Sequence, residues 1–202
     1  MAGVLTNLRT TVIVSLLLAV IYLAAYVLSG AITVGPAFWQ ALARWTHVVS
    51  GIMWIGLLWY FNFVQIPNMP NIPDEQKPAI GKVIAPAALF WFRWGAAFTV
   101  LTGLIVAGLR GYSLEVLSLG LLADTYTPQY SFIGIGMWLA IIMAANVWFV
   151  IWPKQKIALG IVEADADAKP AAARTAMLFS RTNTLLSLPM LIAMAMAQTV
   201  FG

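Results

Sequence analysis

Cysteine is absent from this sequence. That excludes a disulfide framework, thiolate zinc sites, cysteine-ligated iron–sulfur clusters and a covalently attached c-type haem. Histidine is nearly absent too, since His47 stands alone, so neither a two-histidine metal motif nor a bis-histidine haem can form within one chain. Charge is sparse at 9% of residues, and all seven acids fall in loops or at the surface, which argues against paired carboxylates for acid–base work. There is no Walker A loop, no Gly-x-Ser-x-Gly nucleophile elbow and no glycine-rich dinucleotide fingerprint.

What is present is apolar. Hydrophobic residues make up 62% of the 202, and the mean hydropathy is +0.89, a balance that belongs to an integral membrane protein. Five runs are long enough to cross a bilayer core, near 10–30, 38–66, 87–109, 131–153 and 180–201. The fold expected is all-α: a polytopic transmembrane helix bundle forming one integral membrane domain over 1–202. Arg9 before the first run and Ser29-Gly30-Ala31 after it also suit a cleavable leader. The run is read here as a membrane helix. The second run exceeds the bilayer and should tilt or project beyond it.

The net charge of +4 does not point to nucleic acid, because the basic residues are scattered rather than clustered. Topology accounts for them. Arg9, Lys77, Lys82, Lys154, Lys156, Lys169, Arg174 and Arg181 fall on one side of the spans and only Arg110 on the other. The positive-inside rule then places the N-terminus in the cytoplasm. Trp39, Trp91 and Trp152 sit near span ends, as interfacial belts require. Segment 112–123, apolar around Glu115 and too short to span, is expected as a helix lying on the outer face. Gly95, Thr99 and Gly103 form a small-residue stripe that lets another helix approach, within the bundle rather than at a dimer seam.

Arg44, His47, Arg93 and Asn146 lie inside apolar runs, where polar groups face a bundle interior or a cavity. On the helix of His47, Arg44 shares its face at i−3, and Gly51 and Trp54 continue it at i+4 and i+7. Such a groove could take haem b, with His47 as axial ligand to the iron, the ring over Gly51 and a propionate toward Arg44. Gln198 comes closest to supplying the sixth position, with Met196, Met194 and Met137 nearby in depth. The alternative is that His47 hydrogen-bonds a neighbouring helix while Arg44 snorkels to the headgroups. A second layer holds Asn62, Arg93, Asn146 and Asn183. It reads either as an anion or substrate pocket or, preferably, as amides bonding helix to helix.

The stretches RWTHVVSGIMWIGLLWYFNFVQIP, AANVWFVIWPKQK and SRTNTLLSLPMLIAMA resemble the membrane domain at the N-terminus of bacterial cytochrome-c-linked urate oxidase, and still more its short stand-alone relatives. The resemblance implies a helical bundle in the bacterial inner membrane tied to redox chemistry, with His47, Asn146 and Asn183 on family motif positions. No cytochrome c domain is present, since its haem attachment needs cysteines. Where short relatives carry a histidine this chain has Gln198, against bis-histidine ligation. Two functions follow as expectations. One is a haem-b-associated redox or electron-transfer protein. The other is a non-catalytic accessory subunit packed against a respiratory or photosynthetic complex, its partners being lipid and another membrane protein or a second copy. A transporter is less well supported, for want of an intramembrane acid or an inverted repeat.

Overall fold

The computed structural model describes residues 2–165 and 167–201. Among these residues there is no strand. The chain divides into two compact units, Met1–Leu42 and Ala43–Gly202.

In the first unit, the Asn7 side chain accepts from the Thr10 backbone N–H at 3.2 Å and starts helix α1, Leu8–Leu28. The helix buries none of its residues, and Gly30, at φ 77°, follows its end. Pro36 then opens helix α2, Pro36–Trp59, at a first-turn position where its missing N–H costs nothing.

Helix α2 continues unbroken as a π-helical segment, Tyr60–Gln65, and then as Ile66–Asn68. Two later helices repeat the device: Ile80–Ile84 is π-helical before α3, Ala85–Arg110, and Asn146–Ile151 is π-helical after α5, Pro128–Ala145. Each π segment ends two residues before a proline, Pro67, Pro86 or Pro153. A proline inside a helix has no N–H to donate, and its ring collides with the carbonyl four residues back. The wider i→i+5 turn relieves both problems without ending the helix. The chain runs on through Pro153 as Trp152–Ala158.

Five helical stretches are long and apolar enough to cross a membrane: Leu8–Leu28, Pro36–Asn71, Lys77–Arg110, Pro128–Ala158 and Ala168–Val200. Their number is the five expected, but two begin earlier than expected, the third at Lys77 rather than near 87. The last helix, α6, Ala168–Val200, begins twelve residues before the expected 180. The alanines around 168–173 favour helix, and Pro170 falls in the first turn, where it is tolerated. Segment 112–123 also differs from expectation. Only α4, Ser113–Leu117, is helical, and the chain reverses through Leu119 (φ 57°) and Gly120 (φ 87°). Val116 is fully buried, and its carbonyl occupies the place a Cβ on Gly134 would take, so the segment is clamped onto α5 rather than floating on an apolar face.

The core of the second unit joins Trp54 and Leu58 of α2, Phe92 of α3, Met143 and Val147 from α5 and its π extension, and Met190 of α6. Trp54, Leu58, Met143 and Val147 have no exposed surface. In the connection after Asn71, Lys77 pairs with Asp74 at 2.6 Å, and that ammonium holds the exposed carboxyl below its ordinary pKa.

Candidate functional site

The face of α2 that carries His47, Gly51 and Trp54 meets the small-residue stripe of α3. A Cβ on Gly95 would stand 3.2 Å from the Trp54 backbone nitrogen, one on Gly51 would stand 3.9 Å from Thr99 Cγ2, and one on Gly103 would stand 3.0 Å from His47 Cε1. The stripe is therefore an internal seam of the bundle, and its glycines admit the indole and the imidazole. His47 Nδ1 lies 2.9 Å from the Thr99 carbonyl and 3.3 Å from Thr102 Oγ1. A carbonyl only accepts, so Nδ1 carries the proton and Nε2 of the neutral ring is left with its lone pair. Thr99 and Thr102 donate their own hydroxyls to Gly95 O and Phe98 O, at 2.7 and 2.5 Å.

The imidazole borders a cavity of about 30 Å³, whose walls include Met137 and Ala140 of α5 and Met194 of α6. Of the side chains expected beside His47, Met137 and Met194 are there, whereas Gln198, Arg44, Gly51 and Trp54 do not line the cavity. Gly51 faces Thr99 across the closed seam, and Trp54 lies in the core with its indole N–H unpartnered. The Nε of Arg44 is likewise buried without a partner among the described residues. The geometry beside His47 leaves no room for the haem b expected there. The space is that of a single water or ion, and the seam that should have received the ring is filled by α3.

The opposite layer separates into three parts. Asn62 donates to Ser180 Oγ at 2.8 Å and to the Leu58 carbonyl at 2.9 Å. Asn146 donates to Asn183 Oδ1, and Asn183 donates to the Met143 carbonyl, each at 2.9 Å. Arg93 joins neither pair: its guanidinium stacks 3.3 Å over the Trp152 ring, with Nη1 buried and unpartnered. The expected four-residue cluster is thus two amide links and one cation–π stack. Trp59 adds a further link, donating to Ser187 at 3.1 Å. Ser180, Asn183 and Ser187 fall at i, i+3 and i+7 on the buried face of α6 and tie it in turn to α2, α5 and α2 again.

Beside these links opens a cleft of about 380 Å³, within the range of small-molecule sites. Phe61, Leu89, Met69 and Met177 make its apolar walls, and Gln65, Gln155, Ser180 and Arg174 bring polar groups to it. The amide oxygens of Gln65 and Gln155 are buried and accept no hydrogen bond from the described residues. Sequence reasoning missed both glutamines, along with Ser180, Ser187 and Arg174, as site residues. Gln65 closes one π segment and Gln155 follows another, so the recurring Ile-Pro, Ala-Pro and Trp-Pro pairs were the available signal.

No curated protein and no solved structure matches the chain. Residues 106–199, a stretch that includes Met137, Asn146, Gln155, Arg174, Asn183 and Met194 and lies beyond His47 and Gln65, match a family model. That model is described as urate oxidase N-terminal, and over these residues, just under half of its length, the chain is similar to that family.

Proposed function

We propose that this membrane protein binds a small, flat, anionic molecule bearing N–H groups, of the oxopurine class to which urate belongs, in the cleft between Gln65, Gln155 and Arg174. One observation carries the reading: two buried amide oxygens in a ligand-sized cleft lack donors. An unpaired buried acceptor costs about 1–3 kcal/mol, which a ligand N–H would recover. The apolar walls suit ring faces, and Arg174, exposed at the rim, supplies the countercharge. The family's printed description names urate oxidase, which agrees with this ligand class. The bias of Lys and Arg toward this end of the bundle supports a reading in which the cleft opens to the cytoplasmic side of a bacterial inner membrane, with the N-terminus cytoplasmic.

The test is equilibrium dialysis of urate against the purified full chain in detergent. Saturable binding is expected in wild type, lost in the Gln65→Leu/Gln155→Leu double variant and weakened in Arg174→Gln. Absence of binding at millimolar urate, or undiminished binding by the double variant, overturns the reading.

A second reading, membership in a larger membrane assembly, is favoured by α1, an apolar helix with no buried residue. Its partner would be another membrane protein or a second copy of this chain. Native mass spectrometry of the mildly extracted protein, with monomer alone as the adverse result, tests it.

A further inference from the structure

We propose that Arg93, Trp152 and Lys156 form a site for the phosphodiester of an anionic membrane phospholipid, where α3 meets the continuation of α5. Two cations share one indole there. The guanidinium carbon of Arg93 lies 3.3 Å from the centre of the Trp152 ring and Lys156 Nζ lies 5.7 Å from it, so the charges are close whichever faces of the ring they take. No carboxylate relieves them: the one ion pair among the described residues joins Lys77 to Asp74, on another segment. Like charges beside apolar helices repel more strongly than they would in water, and an anion next to them removes that cost.

The guanidinium is held as a phosphate partner needs to be. Stacking on the indole fixes its plane, and it makes no hydrogen bond to a described residue. Nη1 alone of its nitrogens is closed off from the surface. Nε and Nη2 remain open, and N–H groups side by side on one edge of the plate match two phosphate oxygens. The surroundings select a lipid over a free anion. Trp152 lies near the end of the span Pro128–Ala158, at headgroup level, and the Arg93 side chain leans toward that level, the N-terminal end of its own helix. Phe90, Trp91 and Trp94 beside it are exposed, an apolar surface for acyl chains that a soluble phosphate would leave bare. Basic groups between spans at this level are a recurrent means of holding anionic lipids. Snorkelling explains one arginine reaching the interface. It does not explain a second cation over the same ring with no acid beside either. The cleft between Gln65 and Gln155 is not lined by Arg93, Trp152 or Lys156, so the two sites stand or fall separately.

The experiment is native mass spectrometry of the full chain in detergent, titrated with phosphatidylglycerol, with diacylglycerol of the same acyl chains, and with inorganic phosphate as competitor. Wild type should hold one phosphatidylglycerol at least about tenfold more tightly than diacylglycerol, and an equal concentration of phosphate should not displace it. Arg93→Gln should weaken binding about tenfold, the loss of a charge-assisted hydrogen bond, and Arg93→Lys should recover only part of it, because an ammonium lacks the planar fork. Lys156→Gln, which alters only the tip of a half-buried side chain and so tests the site even if Arg93→Gln does not fold, should weaken binding about fivefold. Lys154→Gln makes the same change of charge away from the Trp152 ring and should lose less. Equal retention of diacylglycerol, displacement by phosphate, equal losses in Lys154→Gln and Lys156→Gln, or wild-type affinity in the Arg93→Gln/Lys156→Gln double variant overturns the site.

Discussion

The two ends of the Ala43–Gly202 unit solve the problem of polar groups among apolar helices in opposite ways. At the His47 end the helices close tightly, glycine against side chain, and one imidazole is held by a backbone carbonyl beside a space of about 30 Å³. At the other end three helices are widened into π turns, serines and asparagines bridge them, and a cleft of about 380 Å³ remains with unpaired amide oxygens in it. Small residues remove space and prolines create it. The size of what each end can hold follows from which device the sequence placed there.

The sharpest way to break this contrast is to overfill the closed end. Gly95→Leu forces a side chain against the Trp54 backbone, already 3.2 Å from where a Cβ would lie, and should destabilise the bundle by about 3 kcal/mol, read from denaturation in mixed micelles. At the bridged end Asn183→Leu removes the partner of both Asn146 and the Met143 carbonyl. It should cost about 1–2 kcal/mol in the same assay. Ser187→Ala, which releases Trp59 and the bond Ser187 donates within its own helix to the Thr184 carbonyl but cuts only one link between helices, should cost about 0.6 kcal/mol. If it cost as much as Asn183→Leu, the ladder on α6 would not be a set of separate links.

The smallest expected effect has the opposite sign. Gln65→Leu and Gln155→Leu remove buried acceptors that no described residue satisfies, so each should leave stability unchanged or raise it by up to about 1 kcal/mol, while the two together abolish ligand binding. A gain in stability joined to a loss of binding is the mark of a residue kept for function. A loss of stability would make the glutamines structural.

The spans were legible because about 20 apolar residues have one physical solution in lipid. The stripe Gly95, Thr99 and Gly103 was legible as an internal packing surface for the same reason of spacing, as was the link between Asn146 and Asn183 as interhelical bonding. The three π segments were not. In a helix apolar on every face, a change from 3.6 to a wider turn leaves no trace in the hydrophobic pattern, and only the prolines two residues later record it. The cleft was lost with them, because Gln65 and Gln155 lie where span ends meet headgroups and polar residues need no explanation there. Gln198 was placed beside His47 by depth alone. Depth does not fix the azimuth of a side chain on its helix, and Met194, one turn earlier, is the residue that faces the imidazole's cavity.

The most direct test of the contrast is a structure of the full chain determined with saturating urate. Flat density between Gln65 and Gln155, with its anionic edge toward Arg174 and none beside His47, is the result expected. Urate density against His47, or an empty cleft at saturating ligand, would contradict the account.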